Sequence, residues 1–186
     1  MVKNSKPLLR IFCYLPTPRI WKSTIAARFL DINIELRGTK PTEVKDWLWD
    51  FDARPLTDED KTRLADKTTT GKTGFSIKLY KTDAFLASQP YGTIPAAFSP
   101  DGKIGIFESN SIMRLVARLK TKNNTLYGSN PYESSRIDSF LDTSLIFARS
   151  SQKYLLSLNN NSINKTIRNE AKEAYITYMT GIENAL

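Results

Sequence analysis

Histidine is absent from the 186 residues, and cysteine occurs once, at Cys13. The first absence excludes Ser-His-Asp and Cys-His catalysis and removes the commonest zinc ligand. The second excludes an intramolecular disulfide and fits a reducing compartment. No window approaches the ~18 consecutive apolar residues of a membrane span. The basic start, residues 1–6, leads into an apolar run that ends at Pro16 without a signal-peptide cleavage pattern, so the chain reads as cytoplasmic with no membrane partner. A run of basic residues is missing too. The formal net charge is +8, but Lys and Arg are spread along the chain. The nearest cluster, Arg114, Arg118, Lys120 and Lys122, complements the end of a helix dipole. Such a charge is compatible with nucleic acid, an acidic surface or an anionic small ligand, and without a basic run nucleic acid ranks last. Chemistry is left to hydroxyls, carboxylates, lysines or the reactive group of a bound cofactor.

What is present is an ordinary globular composition, with 40% hydrophobic and 25% charged residues. Residues 8–14 form a short apolar run that reads as a buried first strand, with Cys13 an inert core residue. In the loop that follows, Thr17 is placed to cap a helix and Pro18 to begin it. That helix is expected to bury Ile20, Trp21, Ile25, Ala26, Phe29 and Leu30, leaving Lys22 and Arg28 on the wet side. Residues 32–36 read as a second strand, closed by Gly38 and Pro41. The region 42–90 opens with Val44, Trp47, Leu48, Trp49 and Phe51, a cluster rich in aromatics that must be buried or hold something flat. Residues 56–73 are polar and read as an exposed loop. Thr70-Gly71-Lys72-Thr73-Gly74 has the look of a phosphate loop but fails, because Asp66 stands where its first glycine belongs.

The most informative stretch is 92–114. Residues 94–98 are apolar and short; Pro100-Asp101-Gly102-Lys103 is a turn in which proline presets φ and glycine accepts a positive one. Residues 104–107 return as a second strand, and Ser109 reads as the N-cap of a helix carrying Ile112, Leu115, Val116 and Leu119 at helical spacing. Pro95 stands at a strand start, where a missing N–H is tolerated and a cis bond is possible. Glu108-Ser109 lies where a strand hands over to a helix, so free amides and the positive dipole end face outward there.

In this order, Ile94-Pro95 and Phe107-Glu108-Ser109-Asn110-Ser111-Ile112 resemble the glutathione transferase superfamily. Its thioredoxin-like domain carries a hydrophobic residue and cis-proline before the third strand, and a Glu/Gln-Ser pair between the fourth strand and third helix. The resemblance implies an α/β fold: a thioredoxin-like domain over 7–122, interrupted by an insertion at about 42–90, then an all-α domain from 131 to 186. It implies that glutathione is the co-substrate, that the Ile94 backbone beside Pro95 pairs with its cysteinyl backbone, and that Glu108 and Ser109 take its γ-glutamyl end. Thr17 falls where serine and cysteine classes carry their catalytic residue. A hydroxyl there would donate to the glutathione sulfur and favour its thiolate, which attacks an electrophilic small molecule. Thr17 departs from the usual Tyr, Ser or Cys and is equally well read as only a cap; Tyr14 is a second candidate hydroxyl.

After a linker by composition at 122–130, Pro131 begins a helix with Ile137, Phe140, Leu141, Leu145 and Ala148 on one face. The Asn159-Asn160-Asn161 run is expected to break it before a second helix with Ile163, Ile167, Ala171, Ala174, Tyr175, Tyr178 and Ile182. Family members continue with more helices, so the chain is either a fragment or a shortened member, and two helices alone leave apolar faces partly uncovered. Two functions compete: a glutathione transferase, homodimeric as the resemblance implies, and a non-catalytic interaction module like the transferase-like domain of the elongation-factor gamma subunit.

Overall fold

The computed structural model describes residues 6–70, 77–120, 125–159 and 164–186. The expected phosphate-loop look-alike, the linker and the Asn-rich break therefore lie wholly or partly outside the described residues. The chain divides into two compact units, Met1–Leu126 and Tyr127–Leu186.

In the first unit β1 (Leu9–Phe12) leads to α1 (Pro18–Phe29) and β2 (Ile34–Arg37). An inserted region follows, with β3 (Trp47–Trp49), β4 (Arg54–Pro55), α2 (Asp58–Arg63), β5 (Thr69–Thr70), β6 (Lys78–Lys81) and α3 (Asp83–Ser88). The main fold resumes with β7 (Ala96–Phe98), β8 (Gly105–Phe107) and α4 (Ser109–Leu119). The main sheet runs β2-β1-β7-β8, with β1 and β2 parallel and β7 antiparallel to both β1 and β8. This is the thioredoxin-like arrangement, completed by α1 and α4 packed together. The core lies between sheet and helices: Leu9, Ile11, Ala97, Ile112 and Val116 are all buried.

The α1 face differs from the expected one. Trp21, Ile25 and Phe29 are exposed, Phe29 at 79%, whereas Ile20, Ser23, Ala26, Ala27 and Leu30 are buried. At ~100° per residue these are opposite stripes of one helix. The small residues win the inner face because they let α4 approach closely, which Trp and Phe would prevent. Lys22, expected in water, is half-buried and points to α4.

The inserted region is no simple loop. It forms its own sheet in the order β4-β3-β6-β5. Within the supposedly exposed 56–73 stretch, α2 starts with a capping box in which Thr57 Oγ1 accepts from the Asp60 amide and the Asp60 carboxylate accepts from the Thr57 amide. Of the aromatics, Trp49 is buried and Trp47 and Phe51 are half-buried against the core. Phe12 stacks on Trp47 at 6.2 Å and meets Trp49 edge-on at 5.5 Å, Trp49 meets Phe85 at 5.8 Å, and Phe85 meets Phe98 at 5.9 Å. This chain of rings joins the insertion to β1 and β7, each contact adding about 1 kcal/mol beyond area burial. At its edge Arg10 reaches Glu35 at 2.8 Å and Asp52 at 3.4 Å, linking the two sheets by charge.

In the second unit, α5 (Pro131–Asn159) and α6 (Lys165–Glu183) pack together. Asn130 Oδ1 accepts from the amides of Tyr132 and Glu133 at the head of α5, and Asn164 does the same for Thr166 and Ile167 on α6. Phe147 stacks on Tyr178 at 4.8 Å with rings 4° apart. An apolar groove of ≈ 530 Å³ remains between the helices, lined by Phe140, Ile146, Phe147, Tyr178 and Ile182. No described helix is long and apolar enough to cross a membrane.

Candidate functional site

Strand direction brings the sequence-identified residues to one edge of the main sheet. Phe12 at the end of β1 pairs with Ala96 at the start of β7, which pairs with Phe107 at the end of β8. One row across the sheet therefore places the exit into α1, the segment Ile94-Pro95 and the head of α4 side by side. Both helices start at this edge and direct the positive ends of their dipoles the same way.

At the exit of β1 the backbone is tightly held. The Cys13 amide donates to Arg37 O at 3.1 Å, and Gly38, at φ 146°, runs so close that a Cβ there would stand 1.7 Å from Cys13 O. The Leu15–Pro16 bond is cis, as is Ile94–Pro95. Thr17 caps α1 in an extended conformation, its Oγ1 accepting from the Arg19 amide at 3.4 Å, and it is 1% exposed. The cap uses the oxygen as acceptor and leaves its O–H available as a donor.

At the head of α4 the cap is Glu108, not Ser109 as the sequence suggested. Glu108 adopts φ 66° and ψ 125°, and its side chain caps nothing. A bulky residue at positive φ is held there at a cost of about 1–3 kcal/mol, and such positions gather at functional sites. The turn leaves the Glu108 carboxylate exposed and puts Ser109 at the first helical position, largely buried, with an amide that has no acceptor inside the helix. Ile94 and Pro95 are buried beside it. Tyr91, exposed, meets Phe107 edge-on at 5.3 Å.

Lys22, read from the sequence as solvated, is half-buried instead. Its Nζ donates to Asn110 Oδ1 on α4, in a setting shared with Arg19, Glu108 and Arg114. Burial pushes its amine down to about 8; the two arginines act the same way and Glu108 opposes them. The available signal was faint: a lysine on a helix whose other inner residues are small. Among the described residues no group of His, Cys, Asp and Glu could hold a metal ion.

No protein-family model matches the chain. Over 64 residues, 34% of its length, it is 45% identical to elongation factor 1-gamma 3 of Oryza sativa subsp. japonica and 38% identical to glutathione S-transferase F9 of Arabidopsis thaliana. Those stretches are 15% and 29% of the two relatives, so the chain spans only a minor part of either protein. In fold it is similar to Bombyx mori glutathione transferase BmGSTD1 in complex with GTT, with TM-score 0.57 and 17% identity, covering 91% of this chain and 64% of that one. Glutathione transferase F2 of Populus trichocarpa gives TM-score 0.58 and 18% identity, covering 95% and 69%. The resemblance to the glutathione transferase superfamily thus holds for the fold along most of the chain and in sequence over about a third of it.

Proposed function

We propose that this chain binds glutathione along the edge formed by Ile94, Pro95, Glu108 and Ser109, and that it presents the thiol to the head of α1. The observation that carries the reading is the row Phe12–Ala96–Phe107, which gathers these residues beside two helix N-termini. The Ile94 backbone would pair with the cysteinyl backbone of glutathione. The Ser109 amide and hydroxyl suit the glutamyl carboxylate, and the Glu108 carboxylate suits its ammonium. Thr17 is the group proposed to donate its free O–H to the sulfur, holding it as thiolate for attack on an electrophilic small molecule. In this reading the protein is a cytoplasmic homodimer.

A second reading, a non-catalytic interaction module of an elongation-factor complex, is favoured by one feature of Thr17: it is nearly inaccessible and already employed as a cap. Calorimetric titration with glutathione, followed by ultraviolet absorbance of bound thiolate across pH, separates the two. Binding with thiolate formed below the ordinary thiol range supports the transferase. Binding without it leaves a ligand-holding module, and no binding rejects the glutathione site.

A further inference from the structure

The segment that leads into Ile94 is tied down by two buried polar side chains. Gln89 ends α3, its amide donating to Phe85 O at 2.8 Å and its carbonyl accepting from the Gly92 amide at 2.9 Å. Its side chain, fully buried, turns onto the same loop. Nε2 donates to Thr93 O at 2.6 Å and to Thr93 Oγ1 at 2.7 Å, and Oε1 accepts from the Tyr91 amide at 2.8 Å. Lys81 on β6, also buried, donates to Gly92 O, and burial pushes its amine down. Closing the turn needs only the Gln89–Gly92 backbone bond, and a methionine at 81 would cover Trp49 without taking a charge out of water. The loop is held more firmly than its connection requires.

The polar clamp stops at Thr93, and the sheet begins at Ala96, which pairs with Phe12. Ile94 lies between these anchors, buried, and takes part in none of the loop's backbone hydrogen bonds. Its place is set by its neighbours rather than by bonds of its own. Backbone fixed in this way can pair with a peptide group while losing little further conformational freedom.

We propose that Gln89 and Lys81 are positioning residues: by fixing Tyr91 to Thr93 they preorganise the Ile94 backbone to pair with a peptide group of the ligand. The inference rests on the proposed glutathione site and gives the inserted region, which supplies both side chains, a part in it.

The test measures calorimetric affinity for S-methylglutathione on the full chain, together with the Ile94 amide proton resonance, which a new hydrogen bond moves downfield. Gln89→Met keeps the length of the side chain and deletes its three hydrogen bonds. It should bind about tenfold more weakly, and the ligand-induced shift of the Ile94 amide should shrink or vanish. Lys81→Met removes only the bond to Gly92 O and carries the test if Gln89→Met does not fold. It should weaken binding roughly fivefold. Asp60→Asn, in α2 of the same insertion, is the control for lost stability and should keep wild-type affinity and the Ile94 shift. The proposal is overturned by either methionine substitution, in a folded protein, that leaves affinity and the Ile94 shift as in the wild type. It is equally overturned if Asp60→Asn loses as much of both, because lost stability alone would then account for the effect. A wild type that binds no S-methylglutathione overturns the glutathione site itself, and this inference with it.

Discussion

Lys81 on β6 donates a 2.8 Å hydrogen bond to the carbonyl oxygen of Gly92, and its ammonium lies 4.9 Å from the ring centroid of Trp49. Gln89, fully buried, holds the same loop by donating to Thr93 O at 2.6 Å and accepting from the Tyr91 amide at 2.8 Å. Two side chains of the inserted region therefore fix the segment that leads into Ile94. The insertion is thereby joined to the segment that leads into Ile94. Lys81→Ala leaves the Gly92 carbonyl unpaired and a gap over Trp49, at an expected cost of about 2–4 kcal/mol in urea unfolding. The amides of Thr93 and Ile94 should exchange faster in the same variant. If they keep wild-type protection, the loop is held by something else.

The backbone at Glu108 predicts opposite changes in stability and binding. Glycine adopts φ 66° without steric cost, so Glu108→Gly should gain about 1 kcal/mol, the relief of strain exceeding the added entropy of the unfolded chain. Removing the carboxylate should weaken glutathione binding roughly tenfold. Thermal unfolding and calorimetry on one sample decide it. A variant that is both less stable and unimpaired in binding would contradict the assignment of this residue.

The elements visible in the sequence were those fixed by local chemistry. Thr17-Pro18 starts a helix by capping and a preset φ, and the turn before Lys103 closes because Gly102 takes φ 75°. What stayed hidden depended on distant partners. On the α1 inner face Ile20, Ala26 and Leu30 are buried as the sequence suggested, but Ser23 and Ala27 carry little hydrophobic signal and are buried because α4 lies against them. The strands of the insertion are two to four residues long, too short for a periodicity, and the pairing that joins them, Leu48 on β3 with Tyr80 on β6, is distant in sequence. Lys22 reads as solvated until Asn110, 88 residues later, is placed over it.

Asp60 makes the insertion sensitive to acid. Hydrogen bonds from Arg54, the Thr57 amide and hydroxyl, and Arg63 hold its carboxyl well below the usual range, against the opposing effect of burial. A carboxyl whose folded pKa is depressed contributes stability that is complete above its unfolded value, about 4, and is lost as pH falls toward the folded one. Urea midpoints should therefore drop steadily below about pH 4 in the wild type. Asp60→Asn should cost about 1–3 kcal/mol at neutral pH and flatten that acid limb. An unchanged acid limb would show that other carboxylates control it.

Cys13 should be inert until the chain unfolds. It is wholly buried, and burial pushes its thiol up to about 12, with the Tyr14 backbone and Arg19 offsetting this only in part. At pH 8 roughly one molecule in ten thousand would then carry a thiolate, and that one would be shielded from reagent. Iodoacetamide should label the native protein at least about a thousandfold more slowly than the urea-unfolded chain, with the rate rising along the unfolding curve. Rapid labelling without denaturant would mean that the segment from Cys13 to Thr17 opens in the folded protein. Thr17 would then be far more accessible than its capped position indicates, and the case for a catalytic hydroxyl there would gain.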